Sequence, residues 1–180
     1  TEDTGNDTGD TGDTDTGDTS TDAFVLQDEL QGPNGCGDFL FFDRNADDTI
    51  VLELRGHGLA EIAHTIGEPQ QFEVDLEQPG DFIAFVNMGL NLSHHLCNDA
   101  IDPNIATLIE KTYIPVNGLL SLTVTANGQS MGMGDFPAEM QVQISGADFC
   151  AETGDGSPHH EDCFNVESYS GVAQIGWLGG

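Results

Sequence analysis

Hydrophobic and polar residues alternate along much of this chain with the two-residue period of strands that bury one face. Thr49–Arg55 is the clearest case: Ile50, Leu52 and Leu54 fall on one side and Thr49, Glu53 and Arg55 on the other. Phe72–Glu77 alternates as strictly, and Met140, Val142 and Ile144 alternate with Gln141, Gln143 and Ser145. Phe82–Met88 is apolar on both sides, as a central strand would be. Phe39–Phe42 predicts a strand followed by a loop over Asp43–Asp48, and Ala23–Leu26 a first, edge strand. Gly171–Leu178 predicts a closing strand with Trp177 buried. The pattern departs from period two at Leu59, Ile62, Ala63 and Ile66, whose spacing predicts one short helix across an end of the sheets.

Turn residues punctuate these segments. Pro33–Gly37, Gln78–Asp81, Asp102–Asn104 and Asn127-Gly128 each break the chain. The strongest local signal joins Thr112–Val116 to Leu119–Ala126 through Asn117-Gly118, a pair suited to a type I′ hairpin turn, with Pro115 placing the first strand at an edge. About eight or nine short strands at roughly 8–15-residue intervals predict an all-β antiparallel sandwich, Ig-like or jelly-roll-like, with a closed barrel as the alternative. There is no internal repeat of solenoid or propeller type.

Composition divides the chain in two. Residues 1–22 are built almost wholly from Thr, Asp and Gly, with no apolar side chain to offset the entropy of ordering. They read as a self-repelling acidic spacer ahead of a domain spanning 23–180, with Thr11, Thr14 and Thr16 as candidate O-glycosylation sites. Over the whole chain 32 acids face three bases, for a net charge of −29. Such a surface cannot neutralise phosphates, so nucleic acid and anionic membrane are excluded as direct partners. Cations, basic proteins, neutral sugars, a cell-surface partner or further copies of the chain remain.

The tail resembles the spacer that follows the lipid-bearing cysteine of bacterial surface lipoproteins, notably acidic myxobacterial ones. The body, with Gly35-Cys-Gly37, Cys97-Asn-Asp99 and Gly176-Trp-Leu-Gly179, is similar to domains of the same lipoproteins. That resemblance implies display outside the cell and carries no assigned activity.

Four cysteines, an even number, predict two disulfides formed in an oxidising compartment. Cys150 and Cys163 bracket a Gly/Pro/His-rich loop and should pair locally, which leaves Cys36 to pair with Cys97. Around Cys97 lies the chemically densest stretch, Asn91-Leu-Ser-His-His-Leu-Cys-Asn-Asp99. It holds a sequon at Asn91, a candidate N-glycosylation site. It reads first as a strand end carrying half a disulfide. The competing reading makes His94, His95 and Cys97 ligands of a soft or borderline metal, with Met131 or Met133 as thioether partners. Asp43, Asn45 and Asp47 offer oxygens at alternating positions, as a calcium loop does, but Asp48 stands where such a loop needs Gly and Leu54 where it needs Glu. The pattern thus allows only a looser Ca²⁺ site. His159–Asp162 gathers donors for a structural metal, while His57 and His64 have no partner evident in sequence.

No G-x-S-x-G, H-E-x-x-H or Gly-rich phosphate loop is present. The expected function is therefore non-catalytic: an extracellular or cell-surface domain for recognition or adhesion, with loops as the contact surface. One alternative is a surface filament subunit whose N-terminal segment pairs with a neighbour's sheet edge. A metal-binding or redox protein built on His94, His95 and Cys97 is the other.

Overall fold

The structure, a computed structural model, describes residues 25–98, 102–130 and 135–176. The expected acidic spacer, Ala23 and Phe24, Thr11, Thr14, Thr16, Met131, Met133 and Trp177 lie outside them. Among the described residues two helices, α1 (Leu26–Glu29) and α2 (Leu59–Ile66), accompany nine strands. The strands are β1 (Asn34–Cys36), β2 (Leu40–Arg44), β3 (Ile50–Arg55), β4 (Gln70–Asp75), β5 (Ile83–Leu90), β6 (Leu108–Pro115), β7 (Leu119–Ala126), β8 (Ala138–Glu152) and β9 (Pro158–Ile175).

All pairings are antiparallel, and the order β1-β2-β3-β5-β6-β8-β7-β4, with β9 along β8, makes one continuous sheet. The expected all-β antiparallel architecture is present, as a sheet curled into a half-barrel in which β1 and β2 pack against β9. Phe41 of β2 meets Tyr169 of β9 edge to face at 6.3 Å, inside the main core.

The curl is made by β8 and β9. Along β8, Ala138, Met140, Val142 and Ile144 are buried, but beyond Gly146 the buried set shifts parity to Ala147, Phe149 and Ala151. Its partner β9 shifts at the matching place, from Val166 to Tyr169, Ala173 and Ile175. Gly146 has φ +56°, a conformation that costs glycine little. Two long strands thus bend at one corner and serve both halves of the sheet, as strands do where sandwiches turn a corner.

That corner overturns the expected hairpin. Strands β6 and β7 do not pair with each other; they follow one another along the same edge of β8, opposite β9, with Tyr113–Pro115 on its Cys150 half and β7 on its other half. Asn117-Gly118 carries the chain from one half to the other. The Asn117 side chain accepts from the Asp148 amide at 2.8 Å and donates to its carboxylate at 2.7 Å. A Cβ on Gly118 would lie 2.5 Å from that of Ala147, so glycine is needed for close approach. Pro115 lies beyond the last β5–β6 pair, Val86↔Tyr113, where no ladder bond to β5 is lost.

Three further expectations are corrected. Leu26 does not belong to an edge strand: Leu26 and Leu30, four residues apart, are both buried, so this segment winds into the single turn of α1. Helix α2 forms as its spacing predicts, but it buries Leu59, Ala60 and Ala63 and leaves Ile62 and Ile66 exposed. Glu53 does not face solvent. It is 3% exposed, on an outer face of β3 that other residues cover, and accepts from Arg55 Nε; the Arg55 guanidinium lies 5.7 Å from the centre of the Phe85 ring.

Candidate functional site

Two disulfides form, Cys36–Cys97 and Cys150–Cys163, in the expected pairing. They mark a chain suited to an oxidising, extracellular environment. Among the described residues no helix is long and apolar enough to cross a membrane.

The Cys36–Cys97 bond holds the stretch that stood out in sequence. Residues 91–98 are not a strand end but a run of turns. Leu92 and Leu96, one helical turn apart, point inward and form a second small core with Phe42 and Val51 on the outer face of β2 and β3. The histidines diverge. His94 Nε2 accepts from the Asp102 amide at 3.2 Å, whereas His95 Nδ1 meets Thr107 Oγ1 at 3.2 Å. With the Cys97 sulfur bonded to Cys36, these three residues do not converge on one point. The sequon asparagine, Asn91, is exposed, and its amide donates to the Ala106 carbonyl at 3.0 Å.

The calcium candidates are also dispersed. Asp43 is 2% exposed and turned inward, accepting from Gly32 N at 2.9 Å, Arg44 N at 2.8 Å and Tyr169 Oη at 2.8 Å. Burial, with the Asp43 carboxylate alongside, keeps the Tyr169 phenol protonated far above its usual range, so it serves as the donor. Asn45 closes its own loop through Thr49 N and Ile50 N, at 2.8 and 3.0 Å, while Asp47 stays exposed. Asp48 bonds Ser93 N at 3.0 Å and thereby ties this loop to residues 91–98. What looked in sequence like two ligand loops is one structural cap. His64, without a partner in sequence, donates from Nε2 to the Pro137 carbonyl oxygen at 2.6 Å, as a carbonyl can only accept.

A different site emerges where β6 outruns β8. Only Tyr113, Ile114 and Pro115 of β6 pair with β8, at Ala151, Cys150 and Phe149. From Leu108 to Thr112 the strand is paired on its β5 side alone among the described residues. Its other edge faces a groove of about 500 Å³, walled opposite by Glu152, Thr153, His159 and Asp162 of the β8–β9 hairpin. Leu108 and Ile109, on opposite faces of the strand, are 49% and 50% exposed.

One ion pair spans this groove. Lys111 Nζ donates to Asp162 Oδ2 at 2.8 Å, and Tyr113 Oη donates to Asp162 Oδ1 at 3.2 Å. The hydrogen bond to Asp162 raises the Lys111 ammonium above its ordinary value, and the same bond lowers the Asp162 carboxyl. Glu110 and Glu152 line the groove without an ion-pair partner among the described residues. The site offers a strand edge, the apolar side chain of Ile109 in the groove, and two carboxylates outside any ion pair among the described residues. Sequence reasoning missed it because an unpaired edge is a property of topology; the polar and apolar mixture of Leu108–Thr112 was the only local signal.

Of the histidine cluster, His159 borders the groove and His160 comes to the Cys150–Cys163 sulfurs. Compared with known proteins, the chain matches no family model, no curated protein and no solved structure. Fold and site together define a class, an all-β domain with two disulfides and an open, acid-flanked strand edge.

Proposed function

We propose that this protein is a non-catalytic recognition domain displayed outside the cell, which binds an extended, cationic segment of a partner by strand addition at β6. The observation that carries this reading is the run Leu108–Thr112, paired on one side alone among the described residues, beside a groove of about 500 Å³. Backbone groups along such an edge supply affinity, and flanking side chains select the partner. Glu110 and Glu152, within a chain of net charge −29, favour positive side chains. The two disulfides and the resemblance of the tail to lipoprotein spacers support an extracellular setting.

Strand donation by residues 25–30 to a neighbour is less favoured. Leu26 and Leu30 are buried in their own core, and Gln27 Oε1 accepts from Ser170 N at 2.7 Å, so this segment is already used within one chain.

An alternating Lys-Val peptide tests the proposal. Its binding should slow amide exchange across residues 108–112, and Glu110→Gln with Glu152→Gln should weaken it about fivefold, the effect of roughly half a kcal/mol per surface charge. Unchanged exchange at β6, or equal binding by the double variant, would refute it. Concentration-dependent dimers with the same protection would replace the cationic partner by a second copy.

A further inference from the structure

Just past the second disulfide, β8 and β9 fall out of step. Cys150 pairs with Cys163, but the next residue of β8, Ala151, pairs with His159. Three residues of β9, His160, Glu161 and Asp162, are therefore looped out of the ladder. The excursion sends Asp162 to Lys111 and brings the His160 ring back to the sulfurs. A ring nitrogen of His160 and the Sγ atoms of Cys150 and Cys163 all lie within 4.8 Å of one another. No other three His, Cys, Asp or Glu side chains meet in this way among the described residues.

As long as the sulfurs are bonded to each other, neither is a thiolate donor. Once separated, two thiolates and an imidazole form the Cys₂His set that suits Zn²⁺, with Zn–S of about 2.3 Å and Zn–N of about 2.0–2.1 Å. At those bond lengths tetrahedral donors stand roughly 3.4–3.8 Å apart. That spacing fits within the present 4.8 Å cluster. Cys163 and His160 are exposed and Cys150 is buried, so an incoming reagent reaches the outer sulfur and an ion has an open approach. The hairpin does not depend on the bond for its pairing. Phe149↔Phe164 and Ala151↔His159 flank it in the ladder, and the Phe149 and Phe164 rings stack at 5.7 Å.

We propose that Cys150, Cys163 and His160 are a redox-gated site for a zinc-like divalent cation, closed in the disulfide form and open in the dithiol form. The gating reagent is a dithiol. Its two thiols give two electrons and two protons to the Cys150–Cys163 bond and become a disulfide. The cation then displaces the two cysteine protons and takes His160 as its neutral ligand, leaving a fourth position for water. Oxidation of the thiolates by an incoming disulfide reverses the sequence and releases the ion. The site is independent of strand addition at β6.

The full chain is reduced with a water-soluble phosphine, which takes up oxygen from water as both disulfides become thiols, and is titrated anaerobically with Co²⁺ as the probe. The reduced protein should bind one equivalent with thiolate-to-cobalt absorption in the near ultraviolet, and the oxidised protein none. Exposed His160 is replaceable, and His160→Ala should weaken binding by about tenfold or more, the scale on which even outer partners of a metal matter. Bound Zn²⁺ should shield Cys150 and Cys163 from alkylation and leave Cys36 and Cys97 open to it, a readout that needs no variant. Absence of the thiolate band, equal affinity in His160→Ala, or shielding of Cys36 and Cys97 instead would overturn the proposal.

Discussion

The two disulfides do opposite work. Cys36–Cys97 spans 61 residues and holds a segment that no strand ladder secures, the turns of 91–98 with Leu92 and Leu96 laid on the outside of the sheet. Cys150–Cys163 spans 13 residues and joins strands already paired on both sides of it. Both limit the denatured chain, the first more because its loop is longer. They differ most in the native state, where one bond closes a cover and the other lies on a ladder that stands without it. A crosslink whose removal leaves its surroundings in place is the one free to take on chemistry.

Removing each bond in turn tests this contrast most strongly. Replacing Cys36 and Cys97 by Ser should cost about 4 kcal/mol in the chain-entropy model, and replacing Cys150 and Cys163 about 1.4 kcal/mol less. Chemical denaturation would measure both. Hydrogen exchange would show the sharper difference, with amides of 91–98 opening locally in the first variant and those of the hairpin staying protected in the second. Equal exchange in the two variants would break the comparison.

Leu96→Ala comes next. It leaves both disulfides in place but removes a buried side chain from the small outer core, and should cost about 2 kcal/mol. A loss near zero would mean that the bond alone holds the cover.

The smallest effect concerns pH at the hairpin. Asp162 is lowered chiefly by its bond from Lys111, so what that bond contributes is present above the ordinary carboxylate range and is lost as pH falls through the lowered value. Lys111 is raised, so the contribution also fades as pH rises through its raised value. Lys111→Gln should move the Asp162 titration upward, as followed by NMR, with little change in stability for a pair at the surface. An unmoved titration would show that Tyr113 and His159 set it without Lys111.

The parts of this architecture that were legible in sequence are those set by local alternation or by counting. Strand β3, helix α2 and both disulfide pairings belong here. The rest depends on contacts between distant segments. Asn117-Gly118 has the chemistry of a tight turn, yet Asp148 and Ala147 claim it for the link between two strands that run on along one edge of β8. The parity change at Gly146 is silent because Ser145 and Gly146 are both exposed and fit either face. Leu92 and Leu96 did announce an inward-facing turn through their spacing of four, a signal masked by the histidines between them. Histidine and cysteine donors near Cys163 were visible as a cluster, but only the three-residue slip in the ladder selects His160 from among them.

The scarcity of positive charge also has a consequence for survival among secreted digestive enzymes. Proteases that cut after lysine or arginine have three addresses in the whole chain, Arg44, Arg55 and Lys111. Each lies in a strand, β2, β3 or β6, and each side chain is held by a carboxylate, from Asp48, Glu53 and Asp162 respectively. Nicking favours exposed loop tips, and this chain offers trypsin-like enzymes none with the residue they require. Resistance to that class of hydrolase is therefore written into the composition, with Lys111 on the open edge of β6 as the address that the sheet leaves within reach.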